Sequence, residues 1–493
     1  MNFKWNRLCY GKAPATLTLI AVAAMIATAP SYGQSAAVAG AEADHRDKQI
    51  SDLQSQIDEL KAMLKHGGTV VDEASTSSAT KVAAVNPVSA GPSDRVKLSE
   101  TPVGYRFINT DTTSIGIYGL VDLTIASSST GGPNANPNAA TGGVTNKRWT
   151  GLDVSWMNGN RWGIAGSHVL DKQSDTSLVI KLESEFELPT GNFDGGFSSP
   201  ILFNRDAWIG IQNPTIGLLT FGRQDSLGRD VNMIWANPFS TAKNGYSEGG
   251  WMNNQVMYQL MEYSGSPTGN RWDSAAVWKK VAGNWMFSAG YQFAGLQDTQ
   301  PSNGGTDVVD TGKGLKGTQQ SLGLGYNSTG DLWHASASAT HANYDGYGKK
   351  VFSLGGNFRP VEELRLNGGV YRAEIAQPIS VGERKDTAWT VSAQFYPTGS
   401  KVDFALAYYH ISATNAGNSG GNTLQPFDLT ANITSAASGQ WATVYGAAFY
   451  RWDSQTDFYL AFDTSHVAGG YNSSYFNGNR SINQVGIGTR YFF

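Results

Sequence analysis

From about residue 104 to its last residue, the chain alternates apolar and polar side chains with a period of two. In residues 178–188, LVIKLESEFEL, apolar side chains alternate with Lys181, Glu183, Glu185 and Glu187. A helix would scatter these charges around its surface, whereas a β-strand places all of them on one face. Similar segments recur along the chain, separated by stretches rich in Gly, Asn, Ser, Asp and Thr. The pattern therefore predicts an all-β region of many antiparallel strands.

The last twelve residues, INQVGIGTRYFF, follow the same pattern up to a terminal phenylalanine. One face of this strand carries Val485, Ile487, Tyr491 and Phe493, and the other carries Gln484, Gly486, Gly488 and Arg490. A strand that reaches the chain terminus and ends in aromatic residues is typical of the closing strand of an outer-membrane barrel. Such a barrel faces lipid on its outside and carries aromatic girdles at both ends.

The length of the β-region also favours a barrel. A soluble region of nearly 390 residues would normally divide into domains, whereas one closed barrel needs no division and leaves no free edge. At about ten residues per strand, the predicted fold class is an all-β transmembrane antiparallel β-barrel of roughly 16 strands over residues 104–493, with 18 as the alternative. After residue 33, no apolar run is long enough for a transmembrane helix.

The first 33 residues predict an export signal. Lys4, Arg7 and Lys12 precede an apolar stretch from Ala15 to Ala29, and cleavage is expected after Gly33. An uncleaved anchor helix is the alternative, but its apolar stretch is shorter than the roughly 20 residues that spanning normally needs.

Residues 34–66 predict a periplasmic coiled-coil segment whose helix occupies residues 44–66. Apolar residues recur there at heptad a and d spacing, in an oligomer seam of Ile50, Leu53, Ile57, Leu60 and Leu64. An amphipathic helix that packs on its own domain is the alternative. Residues 67–103 are rich in Ala, Ser, Thr, Val and Pro and predict a tether.

Charge and cysteine content exclude several classes of function. Removal of the signal takes away three of the 36 basic residues and none of the 40 acidic ones, which leaves 33 against 40 and a net charge of −7. No basic cluster suits nucleic acid, so no nucleic-acid partner is expected. The single cysteine, Cys9, lies in the signal, so the mature chain has no disulfide and no thiolate metal site.

The sequence offers little support for an enzyme or a cofactor. Residues 417–421 match G-x-S-x-G, but they lie in a Gly/Asn-rich loop without the helix that a nucleophile elbow requires. The seven histidines show no metal-binding spacing. No catalytic residue, cofactor or metal is therefore predicted, although a triad assembled from distant strands remains an alternative.

Several segments together resemble the Gram-negative general porins, the trimeric diffusion porins. The segments with the resemblance are SIGIYGLVD (114–122), NRWGIAGSHVL (160–170), LFNRDAWIGI (202–211), GLLTFGRQDS (217–226) and QVGIGTRYFF (484–493). The N-terminal coiled coil departs from the simplest members and resembles extensions on some substrate-selective trimeric porins. The resemblance implies an outer-membrane homotrimer in contact with lipid.

The resemblance also implies a pore constriction between basic residues on the barrel wall and acidic residues on an inward-folded third loop, here about residues 224–250. The implied basic wall residues are Arg161, Arg205 and Arg223, and the implied acidic loop residues are Asp225, Asp230 and Glu248. Strict alternation places Arg205 on the lipid face, so its assignment requires a β-bulge. Arg223 has an alternative role as a loop anchor, and the loop carboxylates have an alternative place on a solvated surface.

Alternation alone predicts that Asp122, Lys181, Glu183 and Glu185 face the lumen. Trp251 stands where some anion-selective members have a third arginine, which weakens an expectation of strong anion preference. The predicted function is passive diffusion of ions and small hydrophilic solutes through a water-filled channel. A substrate-selective channel with a solute-binding track is the first alternative. The second is a structural role in which the N-terminal segment contacts peptidoglycan.

Overall fold

The computed structural model describes residues 104–129, 148–154, 157–193, 202–230, 271–293, 318–344, 347–418, 435–470 and 480–493. The predicted signal, coiled-coil segment and tether lie outside these residues, so they stay predictions. In the described ranges, no helix is long and apolar enough to cross a membrane.

The described residues form eighteen strands, one short helix, α1 (Leu227–Asp230), and one 3-10 turn (Thr329–Asp331). The strands are β1 (Tyr105–Asn109), β2 (Thr113–Ser128), β3 (Trp149–Val154), β4 (Asn160–Asp171), β5 (Thr176–Phe186), β6 (Asp206–Asn213), β7 (Gly217–Asp225), β8 (Arg271–Ala282), β9 (Trp285–Gln292), β10 (Thr318–Asn327), β11 (Trp333–Tyr344), β12 (Tyr347–Val361), β13 (Leu364–Ile375), β14 (Arg384–Phe395), β15 (Val402–Asn418), β16 (Ser435–Arg451), β17 (Thr456–Gly469) and β18 (Ser481–Phe492). All of the pairings between them are antiparallel, as the alternation predicts.

The strands close into a barrel with sixteen strand positions. From β4 to β18 each strand pairs with the next one, and β18 pairs with β2 to close the ring. On one side of β2, β1 pairs with its first half and β18 with its second half. On the other side, β4 and β3 divide β2 in the same way. Eighteen strands thus fill sixteen positions, which confirms the predicted strand number over the alternative of eighteen.

The terminal residue completes the junction between β18 and β1. The backbone of Phe493 exchanges two hydrogen bonds with that of Gly119 on β2, with N···O distances of 2.7 and 3.0 Å. The Phe493 ring lies directly over Gly119, where a Cβ atom would be 2.1 Å from the ring carbon Cζ. A glycine at position 119 therefore allows the last aromatic ring to lie flat against the second strand.

Alternation sorts the side chains onto two faces of the barrel. The outer face is apolar, and exposed examples are Leu123, Ile125, Ile209, Ile211, Leu460, Phe462, Val485 and Ile487. The inner face holds the polar residues of the same strands, including Asp122, Lys181, Glu183 and Gln484, which are buried among one another. Lipid stabilises an apolar outer band of this kind, because it removes the apolar surface from water.

The two ends of the barrel differ in the length of their connections. Short turns join β4 to β5, β6 to β7, β8 to β9, β10 to β11, β12 to β13, β14 to β15 and β16 to β17. Aromatic rings cluster on the outer surface at this end, where Trp285 and Tyr326 have centroids 4.7 Å apart and Tyr326 and Trp333 4.9 Å apart. In outer-membrane barrels the short turns face the periplasm and aromatic girdles mark the membrane interface.

Candidate pore constriction

A network of ion pairs covers the inner faces of β5 and β6. Lys181 Nζ lies 2.5 Å from Asp206 Oδ2 and 3.4 Å from Glu183 Oε2. The Arg205 guanidinium pairs with the carboxylates of both Glu183 and Glu185. Tyr118 Oη on β2 donates a 2.8 Å hydrogen bond to Glu183 Oε2. We call this region, together with the charged residues that adjoin it on β4, β7, α1 and β8, the charged wall.

Arg205 reaches the inner face because alternation breaks where β6 begins. Arg205 and Asp206 are consecutive, yet both side chains are buried on the inside, and outward exposure resumes at Ile209 and Ile211. The backbone N–H of Arg205 donates to the carbonyl of Glu183 at 3.2 Å, which holds this irregular residue against β5. This is the kind of irregularity on which the predicted inward position of Arg205 depends.

Arg161 lies at the start of β4, where it is paired in register with Glu185 on β5 and Leu120 on β2. Its guanidinium is buried, and Nε donates a 2.9 Å hydrogen bond to the carbonyl of Gly159. Arg161 therefore adjoins the ion pairs of Arg205 through Glu185.

Arg223 does not belong to the charged wall, contrary to its predicted place in the basic wall of the constriction. It pairs in register with Ala207, and directly paired residues share a face, so its side chain is on the outer side with that of Phe221. Its Nε donates a 2.8 Å hydrogen bond to the carbonyl of Asn204, and Nη1 pairs with Asp273. These contacts tie the ends of β6, β7 and β8 together, as expected of the alternative role as a loop anchor.

The chain turns into the barrel directly after β7. Leu227, the first residue of α1, is fully buried in an apolar cluster with Trp272, Ala275 and Val277 of β8. Its side chain also lies close to Gly290 on β9. The segment predicted as the third loop thus begins inside the barrel. The side chain of Asp230 and the whole of Glu248 and Trp251 lie outside the described residues, so their predicted roles stay predictions.

Asp225 is the last residue of β7 and contacts basic residues on its own side of the barrel. Its carboxylate pairs with Arg229 on α1 and lies 3.2 Å from Arg271 Nη2 on β8. This corrects the expectation of a loop carboxylate that faces the basic wall across the bore. The physical reason is register, because Asp225 and Arg271 are directly opposed on neighbouring strands and satisfy each other locally.

Acidic and basic side chains are therefore interleaved on the charged wall. Its basic members are Arg161, Lys181, Arg205, Arg229, Arg271 and Lys279, and its acidic members are Glu183, Glu185, Asp206 and Asp225. With six positive and four negative groups close together, much of the field is cancelled at short range. The described basic and acidic residues thus share one wall, and the predicted separation into a basic wall and an acidic loop stays a prediction for Asp230 and Glu248.

Asp122 faces inward on β2, but its carboxylate is occupied by backbone groups. Oδ2 accepts hydrogen bonds from the N–H groups of Met157 at 2.7 Å and Asn158 at 2.9 Å. Oδ1 accepts a 2.6 Å hydrogen bond from Tyr459 Oη on β17. Asp122 thus holds the connection between β3 and β4, a role that alternation alone does not reveal.

A second group of ion pairs joins the last four strands near the short turns. Arg490 on β18 makes a bidentate contact with Asp457 on β17, with Nε–Oδ1 and Nη2–Oδ2 distances of 3.0 and 2.9 Å. Arg451 on β16 also pairs with Asp457, and its Nε donates to Asp403 on β15 at 2.6 Å. Sequence reasoning placed Arg490 on the inner face but missed this ladder, because its paired residues are up to 48 residues apart in the chain.

The inner faces of β13 to β17 carry a third, apolar region that sequence reasoning also missed. It contains six large side chains that are at most 3% exposed: Tyr371, Tyr409, Trp441, Tyr445, Phe449 and Tyr459. We call this region the aromatic wall. Alanines such as Ala405, Ala407 and Ala461 lie between the rings. The sequence did contain a signal for this region. Tyr409 and Tyr459 occupy inward positions in strands whose outward residues are Val, Leu and Phe.

No group of three or more His, Cys, Asp or Glu side chains in the described ranges is arranged to hold a metal ion. The last three residues of the G-x-S-x-G match lie outside those ranges, so its dismissal stays a prediction. The charges of the inner face pair with one another, which suits a polar lining better than a site for chemistry.

Comparison with known proteins identifies the family. Residues 79–470 match the family model of the Gram-negative porin. The chain belongs to this family. A Gram-negative porin is an outer-membrane channel protein rather than an enzyme, and the closed barrel with its apolar outer face agrees with that class.

Known porins give further likenesses. An outer membrane porin protein of Bordetella pertussis is 31% identical over 164 residues, which are 31% of this porin and 40% of the relative. The match thus spans about two fifths of that relative's length. The anion-selective porin from Comamonas acidovorans has a TM-score of 0.53 at 15% identity, over 77% of this chain and all of that one. In-vitro folded OmpT, an outer membrane protein of Vibrio cholerae, has a TM-score of 0.50 at 14% identity, over 78% and 99% of the two chains. At these identities the two structures show that the porin shares their fold.

Proposed function

We propose that this porin forms a water-filled channel through which ions and small hydrophilic solutes diffuse passively across the outer membrane. The observation that carries the proposal is the sorting of side chains in the closed barrel, with apolar residues outside and an ionic network inside. An ionic lining is stable next to water but not next to lipid, so this inner face suits an aqueous path.

The channel has a weak preference between anions and cations. The charged wall has six basic and four acidic members, and Arg205, its most central cation, contacts two carboxylates. A solute ion that passes this wall meets charges of both signs within a few ångströms. The field that it experiences is therefore much smaller than the field of an unpaired arginine row.

The buried state of the aromatic wall favours unspecific diffusion over a binding track. A charged side chain acts on a passing ion at a distance. A track for planar solutes instead needs ring faces that the solute can contact, and Tyr409, Trp441 and Tyr445 expose no surface. The substrate-selective channel is therefore the second candidate. It predicts flux that saturates and single-channel current blocks by one solute.

We also infer that the channel is a homotrimer with its N-terminal segment in the periplasm. The heptad seam from Ile50 to Leu64 supports self-association, because five apolar residues at a and d spacing cannot be buried within one short helix. Contact of this segment with peptidoglycan is a further prediction. Deletion of residues 34–100 should leave conductance unchanged and lower the melting temperature of the trimer.

Single-channel recording in a planar bilayer under a salt gradient tests the channel. Folded, heat-modifiable protein should give current steps in groups of three with a reversal potential near zero, whereas boiled protein should give none. Silence from folded protein would contradict the proposal, and lipid hydrolysis by the same sample would support an enzyme instead.

A matched pair of variants tests which arginines face the bore. Arg161→Gln removes a positive charge from the inner face and should shift the reversal potential toward cation preference. Arg223→Gln removes the same charge from the outer face and should leave the reversal potential unchanged. Equal shifts in both variants, or no shift in either, would contradict the assignment of Arg161 to the ion path.

A further inference from the structure

On the side of β2 away from β18, the neighbouring chain is divided into two strands, β3 and β4. Leu123 on β2 is paired with Val154 at the end of β3, and Leu120 is paired with Arg161 in β4. Between these two pairs, β2 has two residues, whereas the segment from β3 to β4 has six, residues 155–160. Four of the six therefore exceed the number that lies opposite them on β2. Of these six, we define Met157–Asn160 as the inner wedge.

The inner wedge folds toward the lumen and is held there by β2. The Asp122 carboxylate, itself fully buried, accepts the N–H groups of Met157 and Asn158. In return, Asn160 Oδ1 accepts the N–H of Asp122. Breaking these contacts would leave buried polar groups without partners, so this clamp fixes the wedge backbone in place.

A second clamp comes from the closing strand. Arg490 Nη1 donates a 2.6 Å hydrogen bond to Asn158 Oδ1, and the same guanidinium is held by Asp457. All three side chains are at most 6% exposed. The wedge is therefore attached to strands on both sides of the barrel closure, and a swing away from the lumen would break several buried polar contacts at once.

The inner wedge lies between the charged wall and the aromatic wall. Met157 is fully buried in the cluster that contains the aromatic wall, and Tyr445 Oη donates to its Sδ at 3.4 Å. At the other end, Gly159 lies against Glu185, where a Cβ atom would be only 1.7 Å from Oε1. A side chain at position 159 would have to displace the Glu185 carboxylate, which pairs with Arg205, so glycine allows the backbone itself to approach the charged wall.

We propose that the inner wedge is a second, fixed constriction element that narrows the bore from the β2 side and contributes to the size limit of the channel. A straight β3–β4 strand would keep its backbone within the wall, whereas the surplus residues place backbone and the Met157 side chain inside it. The proposal rests on the proposed channel function. It differs from the predicted third-loop constriction, whose segment follows β7.

Deletion of Met157–Asn160 is the direct test. It leaves two residues between Val154 and Arg161, the number that lies opposite them on β2, so both strands keep their register and their inward parity. In planar bilayers the deletion variant should show a higher single-channel conductance than the wild type. In liposome swelling it should admit sugars that the wild type excludes.

Met157→Ala keeps the chain length and tests whether the wedge narrows the bore even if the deletion variant does not fold. Heat-modifiable migration reports whether each variant is folded. Its conductance should rise by less than that of the deletion variant. Met286→Ala is the matched control, because Met286 is an equally buried inward methionine on β9, away from the wedge. Met286→Ala should keep the wild-type conductance.

The outcomes separate this proposal from the channel function. A silent wild type would refute the channel itself. A conducting wild type whose folded deletion and Met157→Ala variants keep its conductance and size limit, with only a lower melting temperature, would show that the wedge is a structural staple. That result would overturn the constriction role and leave the channel intact.

Discussion

The charged wall and the aromatic wall occupy the same kind of position and differ in almost every other respect. Both lie on the inner face of one continuous antiparallel sheet and obey the same alternation. On the charged wall, each central group contacts more than one partner, as Glu183 does with Lys181, Arg205 and Tyr118. On the aromatic wall, large rings and alanines interlock, as in the register pair of Ala407 and Tyr445.

The difference shows that one part of a barrel interior can serve as a packed core, while another part produces the electric field that acts on passing ions. Trp441 lies between Ile411 and Val467 on the neighbouring strands, an arrangement found in the cores of soluble proteins. Two guanidiniums cover the Phe449 ring, with Arg451 Cζ at 4.8 Å and Arg490 Cζ at 5.1 Å from its centroid. Substitutions on the aromatic wall should therefore change stability, and substitutions on the charged wall should change ion preference.

The largest expected effect is the loss of stability in Trp441→Ala. Truncation removes a fully buried ring between Ile411 and Val467 and leaves a cavity, at a cost of about 3–5 kcal/mol in the free energy of unfolding. Denaturant titration of the protein in lipid vesicles measures this free energy, and the reversal potential should stay at its wild-type value.

Trp389→Ala is the control for this variant, because Trp389 lies on the outer face and is 37% exposed. Lipid fills the space left by an outward side chain, so the loss should be clearly smaller. A loss equal to that of Trp441→Ala would mean that the inner wall is no better packed than the outer surface, and the distinction between the two walls would fail.

A smaller change in stability, with a change in ion preference, is expected for Glu183→Gln. Lys181 keeps Asp206 as a partner and Arg205 keeps Glu185, so no cation is left without a carboxylate. The cost should be about 1–3 kcal/mol. The charged wall gains one net positive charge, and the reversal potential should move toward anion preference.

The scale of that shift can be estimated. Two unit charges 4 Å apart in water interact by about 1 kcal/mol, which is about a fivefold change in an equilibrium ratio. The anion-to-cation permeability ratio should therefore rise by about fivefold, as measured under a salt gradient. Trp441→Ala is the control. An identical reversal potential in both variants would show that the charged wall does not influence the passage of ions.

The barrel itself was predictable because alternation is a local property. The inward parity of Lys181 and Glu183 and the outward parity of Val485 and Ile487 follow from the sequence of single strands. The strand number followed from length and from the need to leave no free edge. These features require no knowledge of which strands are neighbours.

Alternation alone does not predict the departures from it, because long-range contacts decide them. Alternation places Arg205 outside, but it turns inward to reach two carboxylates on β5, which only the resemblance implied. The inner wedge depends on Asp122 and Arg490, which lie 36 and 332 residues from Asn158 in the chain. Such contacts follow from the assembled sheet, and the sequence of one segment does not contain them.

The smallest expected effect concerns Asp331, in the turn between β10 and β11 and outside both walls. Its backbone has a φ of +59°, and asparagine adopts that conformation as readily as aspartate, so Asp331→Asn changes the charge with little backbone cost. Burial opposes ionisation there, but a hydrogen bond with His334 and the charges of Arg359 and Arg365 outweigh it. Together they lower the pKa of the Asp331 carboxyl below its ordinary value.

A lowered pKa fixes the sign of the pH dependence. The stabilisation by Asp331 is complete above the unfolded-state pKa of about 3.9 and is lost as pH falls through the lower folded-state pKa. The group is half-buried, so solvent screening should keep the contribution below about 1 kcal/mol. Unfolding of the wild type and Asp331→Asn, compared at pH 7, 5 and 3, should show a gap that is full at pH 7 and narrows at pH 3. A gap that stays constant or widens on acidification would show that the ion pairs of this turn, unlike those of the charged wall, make no contribution.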